Sequence, residues 1–162
     1  IVYDVRRESP VRPAPINLFR FYFPECKSFE IDRPARRNAR NMMLWNAVGA
    51  FSALYPDAEH VMLKEHTQVF ERRDNEPLVP TLVPRVYANR FGTGDRIIYT
   101  LYNATGHTVD APVLAVEVDP QHRFMDLVTG QQLTPTRANG KAVIRLKLSR
   151  EDTVVIGRLP RE

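Results

Sequence analysis

The sequence is poor in the features that staple or anchor a fold from outside its packing. Cys26 is the one cysteine among 162 residues, so neither an internal disulfide nor a cysteine-built zinc cluster can form, and the fold must rest on its core. No apolar run approaches the roughly 20 residues that a membrane-crossing helix needs. Charge of one sign is not concentrated either. Lys and Arg number 23 against 19 Asp and Glu, and the balance is nearly even in residues 1–84 (12 to 11) and slight in 85–162 (11 to 8). Such a net +4 lacks the basic excess of a nucleic-acid surface. Also missing are a Gly-rich phosphate loop, a GxSxG elbow, an HExxH helix motif and paired CxxC, which removes the support for nucleotide hydrolysis, serine-hydrolase chemistry and zinc catalysis. Neither nucleic acid nor a membrane is expected as a partner, and no cofactor and no metal is expected.

What is present divides into two regimes. Residues 1–76 mix strand and helix signals. The run Ile1-Val2-Tyr3-Asp4-Val5 is apolar and β-branched, the pattern of mid-strand rather than of a chain start, so the chain is expected to be a piece of a longer protein. Residues 17–23, dense in Leu18, Phe19, Phe21, Tyr22 and Phe23, read as a second strand. Asp32 caps an expected helix running to Tyr55, with Ala39, Met42, Met43, Ala47, Ala50 and Phe51 at helical spacing, and a further helix is expected over 57–73.

Residues 77–84 follow as a proline-rich connector, because Pro77, Pro80 and Pro84 remove donors and fix φ. This segment is read as the domain boundary. Residues 85–162 are short strand patterns at 85–91, 96–102, 113–118, 124–128, 142–148 and 153–156, punctuated by Gly92, Gly94, Gly106, Gly130 and Asn139-Gly140. The alternation of Ala142, Ile144, Leu146 and Leu148 with Val143, Arg145 and Lys147 marks a strand with one buried and one wet face. About six strands spaced near ten residues apart predict an antiparallel β-sandwich.

Residues able to carry chemistry are scattered. His60 and His66 are six apart, out of register for one helix face, and His107 and His122 fall near turns, so second-layer imidazoles are favoured over a metal site. Cys26 reads as a small buried hydrophobe. Glycosidic bonds are cut by a pair of carboxylates, and Glu25, just beyond the expected 17–23 strand, is the catalytic candidate of this chain. Its bland counterpart is an ion pair with Lys27 or Arg20, and Asp4 and Glu8 raise the same question more weakly. Arg33, Arg36, Arg37 and Arg40 form a basic helix face without the interleaved aromatics of single-strand recognition. Trp45 is expected in the core, and Tyr99 and Tyr102 on opposite faces of one strand.

Three segments resemble a known family in order. Leu18-Phe19-Arg20-Phe21-Tyr22-Phe23-Pro24-Glu25-Cys26-Lys27-Ser28-Phe29-Glu30, then Leu44-Trp45-Asn46-Ala47-Val48-Gly49, then Val86-Tyr87-Ala88-Asn89-Arg90-Phe91 resemble the end of a glycoside-hydrolase-type (β/α)8 barrel. The later runs Asp95 to Asn103, Phe124 to Gly130 and Val154 to Ile156 are similar to the antiparallel sandwich that follows such barrels. The resemblance implies an α+β fragment: the last strands and helices of a TIM-barrel-like domain over 1–76, and a β-sandwich domain over 85–162. It implies a carbohydrate-active hydrolase whose main acid and base carboxylates lie upstream, with the upstream remainder of the same protein as partner and a carbohydrate as substrate. The chain alone is then expected to be inactive. A noncatalytic sandwich module that binds a glycan or a protein is the alternative.

Overall fold

The computed structural model describes residues 2–4, 21–24, 29–31, 41, 44, 45, 47, 49, 50 and 62–161. Its described residues include the elements β1 (Val2–Asp4), β2 (Phe29–Ile31), β3 (Gly49–Ala50), α1 (Thr67–Phe70), β4 (Glu76–Val79), β5 (Val86–Phe91), β6 (Ile97–Asn103), β7 (Val109–Glu117), β8 (His122–Asp126), β9 (Gln132–Leu133), β10 (Thr136–Ala138), β11 (Lys141–Leu148) and β12 (Thr153–Pro160), in that order. Two antiparallel sheets dominate. One has six strands ordered β4-β5-β6-β12-β8-β9, and the other has three ordered β10-β11-β7.

The sheets face each other across one core, as a β-sandwich requires. The six-stranded sheet contributes Ala88, Tyr99, Leu101, Phe124 and Ile156, and β7 and β11 contribute Val113, Leu114, Ile144 and Leu148. On β11 the expected alternation holds: Ala142, Ile144, Leu146 and Leu148 are buried, with Arg145 and Lys147 exposed. The β10–β11 turn needs two successive residues at positive φ, which Asn139 (51°) and Gly140 (75°) supply. Asn103 sews the two sheets together. Its side-chain amide donates to the carbonyls of Leu148 (3.1 Å), the last residue of β11, and Ser149 (3.0 Å), the next one.

β6 is buried on both faces, and the reason lies in the other half of its residues. Ile98 points away from the sandwich core and joins Phe91, Val155, Leu44, Ala47, Met62, Val69 and Phe70 in a second core. This second core is where the helical residues lie on the outer face of the six-stranded sheet. Phe91 is its hub, stacked on Phe21 with centroids 5.4 Å apart and met edge-on by Phe70 at 5.2 Å. Fully burying a side chain such as Ile98 contributes about 1.5–3 kcal/mol, so this face is as much a folding surface as the inner one.

Several expectations are corrected. Phe21 and Tyr22 are helical rather than part of a 17–23 strand, and Phe21 uses its ring for stacking. The helix expected through Tyr55 is interrupted, because Gly49–Ala50 is strand. A two-residue strand leaves no periodic trace for a sequence reading to find. The helix expected over 57–73 is described as helical at 62–65 and again in α1, with a turn at His66. Within the proline-rich segment, Glu76–Val79 is an edge strand paired with β5, a place where Pro77 is tolerated because one side of an edge strand needs no donors. The segment then crosses to the other sheet, where the Leu82 N–H donates to the Val113 carbonyl at 2.9 Å. β7 starts four residues earlier than expected and β12 runs four residues longer.

The small third sheet is parallel throughout, with spatial order β1-β2-β3 matching chain order. Its register pairs Asp4 with Ile31 and Glu30 with Ala50. The three strands therefore end at one edge.

Candidate functional site

The chain's polar groups gather at a seam, an end-lock and a helix stop. The seam joins the helical residues to the outer face of the six-stranded sheet. Asn89 on β5 and Thr100 on β6 are cross-strand partners, both fully buried. The Asn89 amide donates to the Trp45 carbonyl at 3.0 Å, and the Thr100 hydroxyl donates to the same carbonyl at 2.8 Å. Asn89 Oδ1 accepts the Leu78 N–H at 3.1 Å. One strand further, Thr153 donates its N–H to Asn41 Oδ1 and its hydroxyl to the Asn41 carbonyl, each at 3.2 Å. Buried polar groups are stable only when partnered, and here the partners come from opposite sides of the junction. The Trp45 ring tilts against Tyr102 at 6.2 Å.

The end-lock closes the sandwich at the β7–β8 turn. Asp119 accepts from the Arg158 guanidinium at 2.7 Å and lies 2.8 Å from His122 Nδ1. The Gln121 N–H, then the neighbouring His122 and Arg158, hold the Asp119 carboxyl below its ordinary value. The helix stop follows α1. Arg72 and the Thr93 hydroxyl both donate to Asp74, which holds that carboxyl well below the usual carboxylate range, Arg72 foremost. Asn75 Oδ1 accepts the Gly92 N–H at 2.9 Å while its amide donates to the Phe70 carbonyl at 2.8 Å. Gly92 is required there. A Cβ on it would sit 2.7 Å from both the Arg96 carbonyl and the Val69 side chain.

All three arrangements hold elements in place. Each carboxylate described in them is engaged by a guanidinium, a hydroxyl or a backbone N–H, and among the described residues no group of three His, Cys, Asp or Glu could hold a metal ion. The sequence candidates distribute accordingly. Glu25, Glu8, Cys26, His60 and the arginines 33, 36, 37 and 40 lie outside the described residues. Asp4 is the last residue of β1. His66 stands at the helix turn, half-buried, with burial pushing its pKa down, and His107 is exposed. Trp45 is buried, and Tyr99 and Tyr102 occupy opposite faces, Tyr99 in the sandwich core. The seam residues were not singled out in the sequence. Their one signal was polarity inside otherwise apolar strands, as in Ala88-Asn89 and Tyr99-Thr100.

No protein-family profile and no curated protein matches the sequence at a significant level. Solved structures do match. α-Galactosidase I from Mortierella vinacea superimposes with a TM-score of 0.54 over 82% of this chain and 40% of its own, at 8% identity. A Bacillus halodurans protein assigned as an α-N-acetylgalactosaminidase gives 0.52 over 80% of this chain and 33% of its own, at 11% identity. The resemblance is to glycoside hydrolases. At such identities the likeness is one of fold, and the β-sandwich is common ground. The chain spans between a third and two fifths of the length of these glycosidases.

Proposed function

We propose that this chain is the closing portion of a carbohydrate-active hydrolase: the last strands and helices of a (β/α)8-type barrel, followed by a sandwich that buttresses it. The observation that carries the reading is the parallel sheet β1-β2-β3, in which chain order equals spatial order. A barrel lays down its strands in that way, whereas a doubly wound sheet reverses its order. The helical residues Asn41 and Trp45 lie between β2 and β3 in the chain and are hydrogen-bonded to the sandwich through Thr153, Asn89 and Thr100. Barrel enzymes assemble their sites at the C-terminal ends of strands, which here are Asp4, Ile31 and Ala50.

On this reading the upstream remainder of the protein is the obligatory partner, and it supplies the principal acid and base. The substrate is a carbohydrate. Glu25 is proposed for the rim, as a group that orients rather than reacts. A noncatalytic binding module, the rival reading, leaves the parallel strands without a purpose.

The test is hydrolysis of a panel of aryl α- and β-glycosides by the product of the whole reading frame and by residues 1–162 alone. The proposal expects turnover by the former and none by the latter. Turnover by the 162 residues alone, or none by the whole product, overturns it.

A further inference from the structure

The chain holds eight asparagines, and Asn139 is the one that a glycine follows. The structure sets it apart a second time. Among the described residues the side chains of Asn41, Asn75, Asn89 and Asn103 are all hydrogen-bonded, whereas the Asn139 amide is exposed and has no partner. The space beside it is open as well. Asn139 and Gly140 form the two-residue turn between β10 and β11, and a Cβ built on Gly140 meets nothing within 4 Å.

What this turn holds in place is slight. β10 is an edge strand of three exposed residues, paired with β11 alone through Thr136 with Val143, Arg137 with Ala142 and Ala138 with Lys141. None of the three enters the sandwich core, whereas β11 is also paired with β7 and buries Ala142, Ile144, Leu146 and Leu148 there. Exposed edges without core contacts are where a fold opens first.

We infer that Asn139 is a site of spontaneous backbone modification, with Gly140 as nucleophile and water as the one co-reactant, and that the isoaspartate it leaves releases β10 from its sheet. The Gly140 nitrogen gives up its proton to solvent base and bonds to Asn139 Cγ. The Cγ–Nδ2 bond breaks, Nδ2 leaves as ammonia with a proton returned by solvent, and a five-membered succinimide closes. Water then opens the ring at one of its two carbonyls. Opening at Cγ leaves aspartate, which tolerates the left-handed φ of 51° at this position much as asparagine does. Opening at the former main-chain carbonyl leaves isoaspartate, whose main chain runs through Cβ and is one carbon longer. Turn length and register are coupled in a hairpin, so the added carbon breaks the three pairings of β10. Those between β11 and β7 are untouched. The chemistry involves neither a carbohydrate nor an upstream strand, and it stands or falls apart from the hydrolase proposal.

The test is to age the 162-residue chain for weeks in mildly alkaline buffer, map its peptides by mass, assay isoaspartate with an isoaspartate methyltransferase, and follow initial trypsin cleavage. Conversion should appear at Asn139 before any other asparagine. The bond after Arg137, in β10, should be cut at least about tenfold faster in the aged chain than in the fresh one, while the bond after Arg145, inside β11, keeps its fresh rate. Asn139→Asp copies the product that preserves the turn and should be cut at the fresh rate. Asn139→Gly suits the turn and cannot form the ring, so ageing should leave its cleavage unchanged. Any of four results overturns the proposal: another asparagine converting first, no isoaspartate at position 139, isoaspartate there with the Arg137 bond cut no faster, or the same acceleration in aged Asn139→Gly.

Discussion

Asn89 and Trp45 lie 44 residues apart in sequence, and the Asn89 amide donates to the Trp45 carbonyl at 3.0 Å inside the protein. The bond joins two parts of the chain that a sequence reading separates into domains. Asn89 serves both sides, since its oxygen also anchors Leu78 on the edge strand. Through this one residue the helical segment, the outer sheet face and the β4–β5 crossing share a single support.

Removing that support should be costly. Asn89→Leu leaves the Leu78 N–H without its acceptor and takes one of two donors from the Trp45 carbonyl, for an expected loss of about 1–3 kcal/mol. Thr100→Val, similar in shape, takes the other donor and should cost about 1 kcal/mol. Urea unfolding followed by Trp45 fluorescence measures both, and the two losses should be non-additive because the residues share an acceptor.

Gly92→Ala should be worse than an ordinary surface change. Gly92 has φ of 77° and meets Arg96 and Val69 at 2.7 Å from a built Cβ. Strain and overpacking together predict a loss of at least about 2 kcal/mol. The same substitution at Gly94, where the built Cβ meets nothing within 4 Å, carries the φ penalty alone and should cost less. Thermal melts of the two variants side by side decide this.

Stability should fall on the acid side in two stages. Burial lowers the His66 pKa from its ordinary 6.5, so the unfolded chain takes up a proton that the folded one resists. The stabilisation is whole above about pH 6.5 and is lost as pH falls from there toward the folded value. Asp74 and Asp119 are depressed below 3.8, so their contributions persist above that pH and are lost as pH falls through their folded values. Denaturation midpoints between pH 8 and pH 5 should decline in the native chain and decline less in His66→Gln.

Glu25→Gln, made in the product of the whole reading frame, separates a rim group from a reacting one. Removal of a general acid or base costs about 10²- to 10⁴-fold, and a rim role predicts a fall in kcat/KM below about tenfold, carried mainly by KM. A larger fall confined to kcat would make Glu25 a reacting group.

Much of the sandwich was legible in the sequence because its signals are local. β11 carries strict alternation, and Asn139-Gly140 names its own turn. The parts that were not legible depend on distant partners. Phe21 and Tyr22 sit in an aromatic run with every local mark of a strand, yet they are helical, and Phe21 stacks on Phe91. Gly49–Ala50 becomes strand through pairing with Phe29–Ile31, which helical spacing of nearby apolar residues conceals. Pro77 argued against a strand and proved to mark an edge. The seam was hidden for a related reason: Asn89 and Thr100 look like interruptions until the carbonyl of Trp45 is placed between them.

The most direct test of the account is sedimentation of residues 1–162 alone and mixed with the polypeptide encoded upstream. Among the described residues β1 and β3 are the edge strands of the parallel sheet, so the proposed reading predicts self-association alone and a stable one-to-one complex on mixing. A discrete monomer that ignores the upstream polypeptide would contradict it.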